Sequence, residues 1–205
     1  MLRLRRESGD LGLKLLSRMS FENFEKRLNL SREEQTILDD AIKLARRFAE
    51  EPEGWLVFLG PNGCGKTHLA AAIGNYQLKR SKPVIFIVVP DFLDHLRSTY
   101  NPNGKLGHDE LFDRVKNAAL LILDDFGEQA STPWAQEKLY QLINYRYNDR
   151  LPTVITTCLS LENLENRIGS RLGDPRLSTP FNIDVPDYRS DLAPSERGKP
   201  MRRAR

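Results

Sequence analysis

The 205 residues contain only two cysteines, Cys64 and Cys158, at a separation that matches no metal-ligand pattern. That excludes a disulfide framework and favours a reducing compartment, the cytoplasm. The three histidines, His68, His95 and His108, are scattered without metal spacing. No apolar run approaches the ~20 residues a membrane-spanning helix needs, so no membrane partner is expected. No targeting segment is expected from the arginine-rich start, which Glu7 and Asp10 interrupt and which no apolar stretch of signal-peptide type follows. Charge of one sign is not in excess. Lys and Arg number 31 against 28 Asp and Glu, a net +3, so composition alone announces no polyanionic partner. Arg3, Arg5 and Arg6 near the start and Arg202, Arg203 and Arg205 at the end are either polyanion-seeking tails or solvated ends. A hydrophobic share of 40% and a charged share of 29% suit one globular domain with a real core.

Residues 56–67, LVFLGPNGCGKT, organise the chain. An apolar strand runs into Gly60, and the pattern G-x-x-x-x-G-K-[ST] closes on Gly65, Lys66 and Thr67. Leu69, Ile73 and Tyr76 then follow with helical spacing. Strand, glycine loop and helix are the context of a phosphate-binding loop. Gly60, Gly63 and Gly65 allow the backbone to turn successive N–H groups inward, and the helix adds its positive dipole end. The loop reads as the cofactor-binding run Gly60, Pro61, Asn62, Gly63, Cys64, Gly65, Lys66, Thr67 and His68. Lys66 reaches the terminal phosphates of ATP, and the Thr67 hydroxyl is a Mg²⁺ ligand. Cys64 is a small spacer, and His68 is more readily a helix-surface residue than a catalyst.

Elsewhere, strands alternate with helices. Ser31-x-x-Glu34 is a capping box opening a helix through Ile37, Ala41, Leu44, Ala45 and Phe48. Val84 to Val89 and Ala119 to Leu123 read as buried parallel strands, as does Val154 to Thr157; a last strand is expected near Phe181 to Val185. Helices are expected from about Asp109 to Lys116, from Trp134 to Asn148, and from a Ser160 cap through Leu172. This is an α/β domain with a mostly parallel sheet. Residues 1–20 form a basic amphipathic tail, either a helix that docks on a partner or a frayed end. Residues 21–190 form the domain, and 191–205 a disordered basic tail.

Hydrolysis needs a metal held in place and an activated water. The run Leu120 to Leu123 delivers Asp124 and Asp125 at the C-terminal end of a strand, where ligands of open α/β sheets bind. Asp124 is assigned to Mg²⁺ and Asp125 to the attacking water, on the argument that neighbours on a strand face opposite sides. Arg167 and Arg171 share a helix face, as either an outward arginine finger or a solvated surface.

The motifs GPNGCGKTHLA, LLILDDFG, VITT, ENRIGSRL and PDYR, with FENF and RRFAE upstream, occur in one order. Together they resemble the AAA+ core of bacterial replicative helicase loaders of the DnaC/DnaI type and of related IstB-like transposition helper ATPases. The resemblance spans about residues 20–190. It implies a P-loop NTPase with a five-stranded sheet of order 5-1-4-3-2, no C-terminal lid domain, and ATP bound between subunits of a homo-oligomer. It implies Walker A at Gly60 to Thr67, Walker B at Asp124 and Asp125, and a sensor at Thr157 and Cys158. Arg171 becomes the arginine finger, and Arg189 a further sensor candidate. Arg97, Tyr100 and Lys105 become candidate contacts to single-stranded DNA by phosphate pairing and base stacking. The implied partner is a replicative DNA helicase, or a transposase in the second family. Cys158 departs from the asparagine usual at the sensor and implies slow hydrolysis or an ATP-gated interaction module. Helicase loaders also carry a partner-binding domain ahead of the core, for which only about 20 residues are present here. A small-molecule kinase is a further alternative on the phosphate loop alone.

Overall fold

The computed structural model describes residues 16–24, 27, 29–98, 106–127 and 132–190. Helix α1 (Arg32–Glu50) starts at the expected capping box: Glu34 N donates to Ser31 Oγ across 3.2 Å, and Ser31 N donates to Glu34 Oε2 across 2.7 Å. Strand β1 (Trp55–Leu59) follows, then α2 (Lys66–Lys79). Next come β2 (Ile85–Val88), α3 (Val89–Ser98), α4 (Leu106–Lys116) and β3 (Leu121–Asp124). The chain continues through α5 (Pro133–Asn148), β4 (Thr153–Thr157), α6 (Asn166–Leu172) and β5 (Ser178–Asn182).

All the strand pairs are parallel, in the order β2-β3-β4-β1-β5, which is the expected order read from its other end. The sheet divides the core in two. Leu56, Phe58, Ile122 and Val154 face α1 and α2. Trp55, Val57, Leu121, Leu123 and Ile155 face α3 to α6. This two-residue alternation decides which strand-end side chains share a site with α2.

Two expectations need correction. The helix expected from Ser160 is broken: Leu161–Asn163 is a 3-10 turn, Ser160 makes no side-chain cap, and α6 is capped by Glu165, whose carboxylate accepts from Ile168 N across 3.2 Å. The last strand lies earlier than Phe181 to Val185, at Ser178–Asn182, on the sheet edge. Ile183 and Val185, inside the expected strand, are instead buried in the irregular segment after it. That segment crosses the end of β1, where Ile183 N donates to Leu59 O across 2.7 Å.

Two ties hold the framework. Arg146 on α5 is fully buried, without a carboxylate partner among the described residues. Its guanidinium donates to Lys116 O at 2.9 Å, Ala118 O at 2.8 Å, Pro152 O at 2.6 Å and Thr153 Oγ1 at 2.9 Å. Burial holds its pKa down at about 10. At the other end, Leu16 is buried against the α1–α2 face, and Asn75 Nδ2 donates to the Leu16 and Met19 carbonyls. The rest of the N-terminal tail and residues 191–205 lie outside the described residues.

Candidate nucleotide site

The loop between β1 and α2 closes as its glycines predict: Gly60, Gly63 and Gly65 have φ of 140°, 73° and 106°. All three positions are also sterically closed to a side chain, Gly60 by the Ile183 carbonyl oxygen 2.4 Å from where its Cβ would be. A Cβ on Gly63 would lie 1.9 Å from Asp187 Oδ1, and one on Gly65 would lie 2.9 Å from the Phe24 ring. The loop is therefore flanked by both ends of the described domain. Phe24 packs edge-on against His68, 4.9 Å between centroids, and His68 Nε2 lies 2.9 Å from Ser20 O. On the other side, Tyr188 N donates to Gly63 O across 3.0 Å, and Arg189 Nε and Nη2 hold the Asp187 carboxylate at 2.7–3.0 Å. Arg189 thus reaches the loop only through Asp187, whose pKa its guanidinium lowers.

Lys66 is buried, and its Nζ donates to Gly60 O at 2.7 Å and Pro61 O at 2.8 Å. Pro61 and Asn62 are exposed at the loop tip. Cys64 is buried, its thiol pKa pushed up by desolvation, with Sγ 3.8 Å from Lys66 Nζ.

Asp124 ends β3 on the α2 face of the sheet. Its Oδ1 accepts from Thr67 Oγ1 at 2.9 Å and from Thr156 Oγ1 at 2.6 Å. Burial raises its pKa from 3.8 to about 6, helped by the charge of Asp125 and opposed by the two hydroxyls and Lys66. A buried carboxylate beside a hydroxyl with lone pairs to spare is an oxygen donor set suited to a hard cation. No group of three or more His, Cys, Asp or Glu that could hold a metal occurs among the described residues. Mg²⁺ is carried by one or two protein oxygens together with substrate phosphates and water, and the Thr67 hydroxyl and Asp124 carboxylate supply such oxygens.

Asp125 is exposed, and its backbone has φ of 55°. It lies one residue past β3, so a left-handed turn separates it from Asp124, rather than the strand alternation expected. The resemblance points to the strand end at Thr157 and Cys158, not to Thr156. Parity was the available signal: Val154 faces α2, so Thr156 does too, while Thr157 faces the opposite side. Thr157 is buried with its Oγ1 accepting from Leu159 N across 3.1 Å, and Cys158 is half-buried beside it.

The arginines lie elsewhere. Arg171 does not project outward but lies along α5. Its guanidinium donates to Asn144 Oδ1 at 2.6 Å and Arg167 O at 2.7 Å, over the rings of Tyr140 and Tyr147 at 5.0 and 5.5 Å. Its Nε is buried without a partner among the described residues. Because α6 packs on the face opposite α2, Arg171 is not brought to its own phosphate loop. Arg167 is exposed, 4.0 Å over Tyr140 and paired with Glu165. Arg97 pairs with Asp94 at 3.7 Å and lies 5.4 Å over Trp134. Tyr100 and Lys105 lie outside the described residues. No described helix is long and apolar enough to cross a membrane.

This geometry has known counterparts. The chain is 31% identical over 138 residues to the replicative helicase loader DnaC of Escherichia coli strain K12, covering 66% of this chain and 56% of that protein. It is 33% identical over 146 residues to the putative ATP-binding protein of insertion sequence IS232 from Bacillus thuringiensis, covering 71% and 55%. The chain therefore spans about half the length of these curated relatives. Among solved structures, the DnaC helicase loader superposes with TM-score 0.69 at 23% identity, over 83% of this chain and 99% of that one. DnaI superposes with TM-score 0.65 at 26% identity, over 85% and 92%. The fold is that of an AAA+ P-loop NTPase. A model of the IstB-like ATP binding protein family matches residues 6–181, and the chain belongs to that family.

Proposed function

We propose that this chain is a cytoplasmic, Mg²⁺-dependent ATPase that assembles on single-stranded DNA and loads a replicative DNA helicase. The observation that carries the ATPase reading is the convergence of Thr67 and Asp124, 2.9 Å apart, beside the buried Lys66 at the C-terminal ends of β1 and β3. The loop amides from Gly63 to Thr67 cradle the phosphates, and Lys66 exchanges the Gly60 and Pro61 carbonyls for phosphate oxygens. Thr67 and Asp124 would hold magnesium, which when bound neutralises charge on the phosphates. Asp125 orients and polarises the water that attacks the terminal phosphorus, giving ADP and phosphate. Arg171, on the opposite face of the sheet, acts on the ATP of a neighbouring subunit, so that ATP completes an interface and its hydrolysis loosens it. Arg189, Thr157 and Cys158 report the state of the site. Arg97, Tyr100 and Lys105 contact the DNA strand.

The loader reading is supported by the DnaC relative and by the match to DnaI above 25% identity. A second reading, a helper ATPase for a transposase, is favoured by the family's own description and by the insertion-sequence relative. The deciding experiment measures assembly by light scattering with a non-hydrolysable ATP analogue, with and without single-stranded DNA, and then offers helicase and transposase. ATP-dependent assembly that captures the helicase supports the first reading. Capture of the transposase on duplex DNA selects the second, and a chain that stays monomeric throughout removes the intersubunit role of Arg171.

A further inference from the structure

The Thr156 side chain makes two hydrogen bonds, one to each member of the acid pair. Its hydroxyl proton goes to Asp124 Oδ1 across 2.6 Å, and its oxygen accepts from Asp125 N across 3.1 Å. It is fully buried on the α2 face, one strand over from Asp124, and Phe126 N donates to its carbonyl across 2.8 Å. One side chain therefore touches both members of the acid pair, through the carboxylate of the first and the backbone of the second.

A hydroxyl has one proton and two lone pairs. Thr67 can give its proton to Asp124 and still present a lone pair to a metal. Thr156 has used its proton on Asp124 and a lone pair on Asp125, and it lies inside the strand rather than at the loop. It is suited to hold other groups, not to bind a ligand.

The Asp125 end of this bond is where positioning has an effect. Asp125 sits in the left-handed region, which a non-glycine residue adopts only when its surroundings hold it there. Its side chain is exposed and makes no other described contact that would fix its direction. The Thr156 bond to its N–H, with the Phe126 bond that follows, anchors the turn.

We propose that Thr156 is a positioning residue for ATP hydrolysis: its hydroxyl locks the Asp124 carboxylate and the Asp125 turn into one rigid unit, setting the metal-binding acid and the water-orienting acid relative to each other. This rests on the ATPase reading above.

The test uses Thr156→Val, which keeps the shape and removes the hydroxyl, and Thr156→Ser, which restores it, both in the full chain. Three quantities are read: turnover at saturating Mg-ATP, ATP affinity by calorimetry with EDTA or with Mg²⁺, and hydrogen exchange at the Asp125 amide. Thr156→Val is expected to lose turnover by about tenfold to a hundredfold, the usual effect of removing a partner behind a metal ligand. Its metal-free ATP affinity stays within about twofold of the parent, the magnesium-dependent gain shrinks, and the Asp125 amide exchanges faster. Thr156→Ser recovers all three. Parental turnover in Thr156→Val overturns the proposal. So does a Thr156→Ser variant as impaired as Thr156→Val, or a Thr156→Val variant that also loses metal-free binding, since either makes the residue a packing element. A parent that binds no ATP defeats the ATPase reading instead, and the Asp125 exchange rate then still decides whether Thr156 holds the turn.

Discussion

Thr67 on the first turn of α2 and Asp124 at the end of β3 are joined by a 2.9 Å hydrogen bond, although they stand 57 residues apart in sequence. The bond partly compensates a carboxylate that burial makes costly, and the compensation is incomplete: the Asp124 pKa stays near 6. The sign of its effect on stability follows from linkage. The folded state binds this proton more tightly than the unfolded chain, so Asp124 favours folding at low pH, and that contribution is lost as pH rises from about 4 to about 6. Asp174, Asp187 and Glu34, whose values are lowered by hydrogen bonds, act in the opposite direction and at lower pH. Between pH 5 and pH 7, Asp124 should therefore remove about 1 kcal/mol of stability, or ~2–4 °C in a domain of this size. Asp124→Asn should flatten that part of the profile. Thermal melts of both proteins across this range check it, and an unchanged slope in Asp124→Asn would remove Asp124 as its source.

Lys66 and Asp125 separate binding from turnover. Lys66→Ala deletes the only loop cation within reach of the terminal phosphates and should weaken ATP binding by at least about tenfold in calorimetry. Asp125→Asn should leave affinity within a few-fold and lower turnover by about a hundredfold or more. Asparagine is the informative substitution, because it tolerates the left-handed backbone at φ 55°, whereas alanine would add strain of about 1 kcal/mol to the lost carboxylate. A single-turnover assay at saturating ATP reads the difference.

How much of this was legible depends on the range of the interaction. The phosphate loop was readable because its chemistry is written in eight consecutive residues, and the Ser31–Glu34 box because it spans one turn. Sheet order followed from the resemblance rather than from the residues. The last strand was placed too late because the apolar Ile183 and Val185 are buried, a property that a strand and an irregular segment crossing a sheet end share. Thr156 required knowing which face β4 turns to α2, a fact carried by register and not by local pattern. The Gly63–Asp187 contact joins residues 124 positions apart, and only the folded chain places that carboxylate over the loop.

Arg146 tests the framework apart from the chemistry. Four hydrogen bonds from its guanidinium satisfy three carbonyls, at the end of α4, ahead of β3 and ahead of β4, and the Thr153 hydroxyl, with no counter-charge among the described residues. Arg146→Met keeps much of the volume but leaves those carbonyls buried with fewer partners, at about 1–3 kcal/mol for each one left unmet. The variant should lose at least about 3 kcal/mol in urea unfolding. Its metal-free ATP affinity under native conditions should be unchanged, because the latch lies at the opposite end of the strands from the phosphate loop. A stability within 1 kcal/mol of the parent would show that water replaces the guanidinium there.

Arg171 and Asp125 make the intersubunit reading testable by mixing. If Arg171 completes a neighbour's site, Arg171→Ala subunits retain an intact phosphate loop and acid pair, while Asp125→Asn subunits retain an intact finger. Each variant alone should bind ATP and hydrolyse it poorly, since the loss of an arginine finger lowers turnover by about a thousandfold or more. Mixed, they form interfaces where an Asp125-bearing site meets an Arg171-bearing neighbour, and turnover should recover to a sizeable fraction of the parent's. Recovery should rise with protein concentration as assembly does. Asn144 adds a control: Asn144→Ala removes the 2.6 Å acceptor from Arg171 while leaving the nucleotide pocket untouched, so it should change the finger's efficiency without changing ATP affinity. Mixtures no more active than the average of their parts would place the action of Arg171 within its own subunit or outside catalysis.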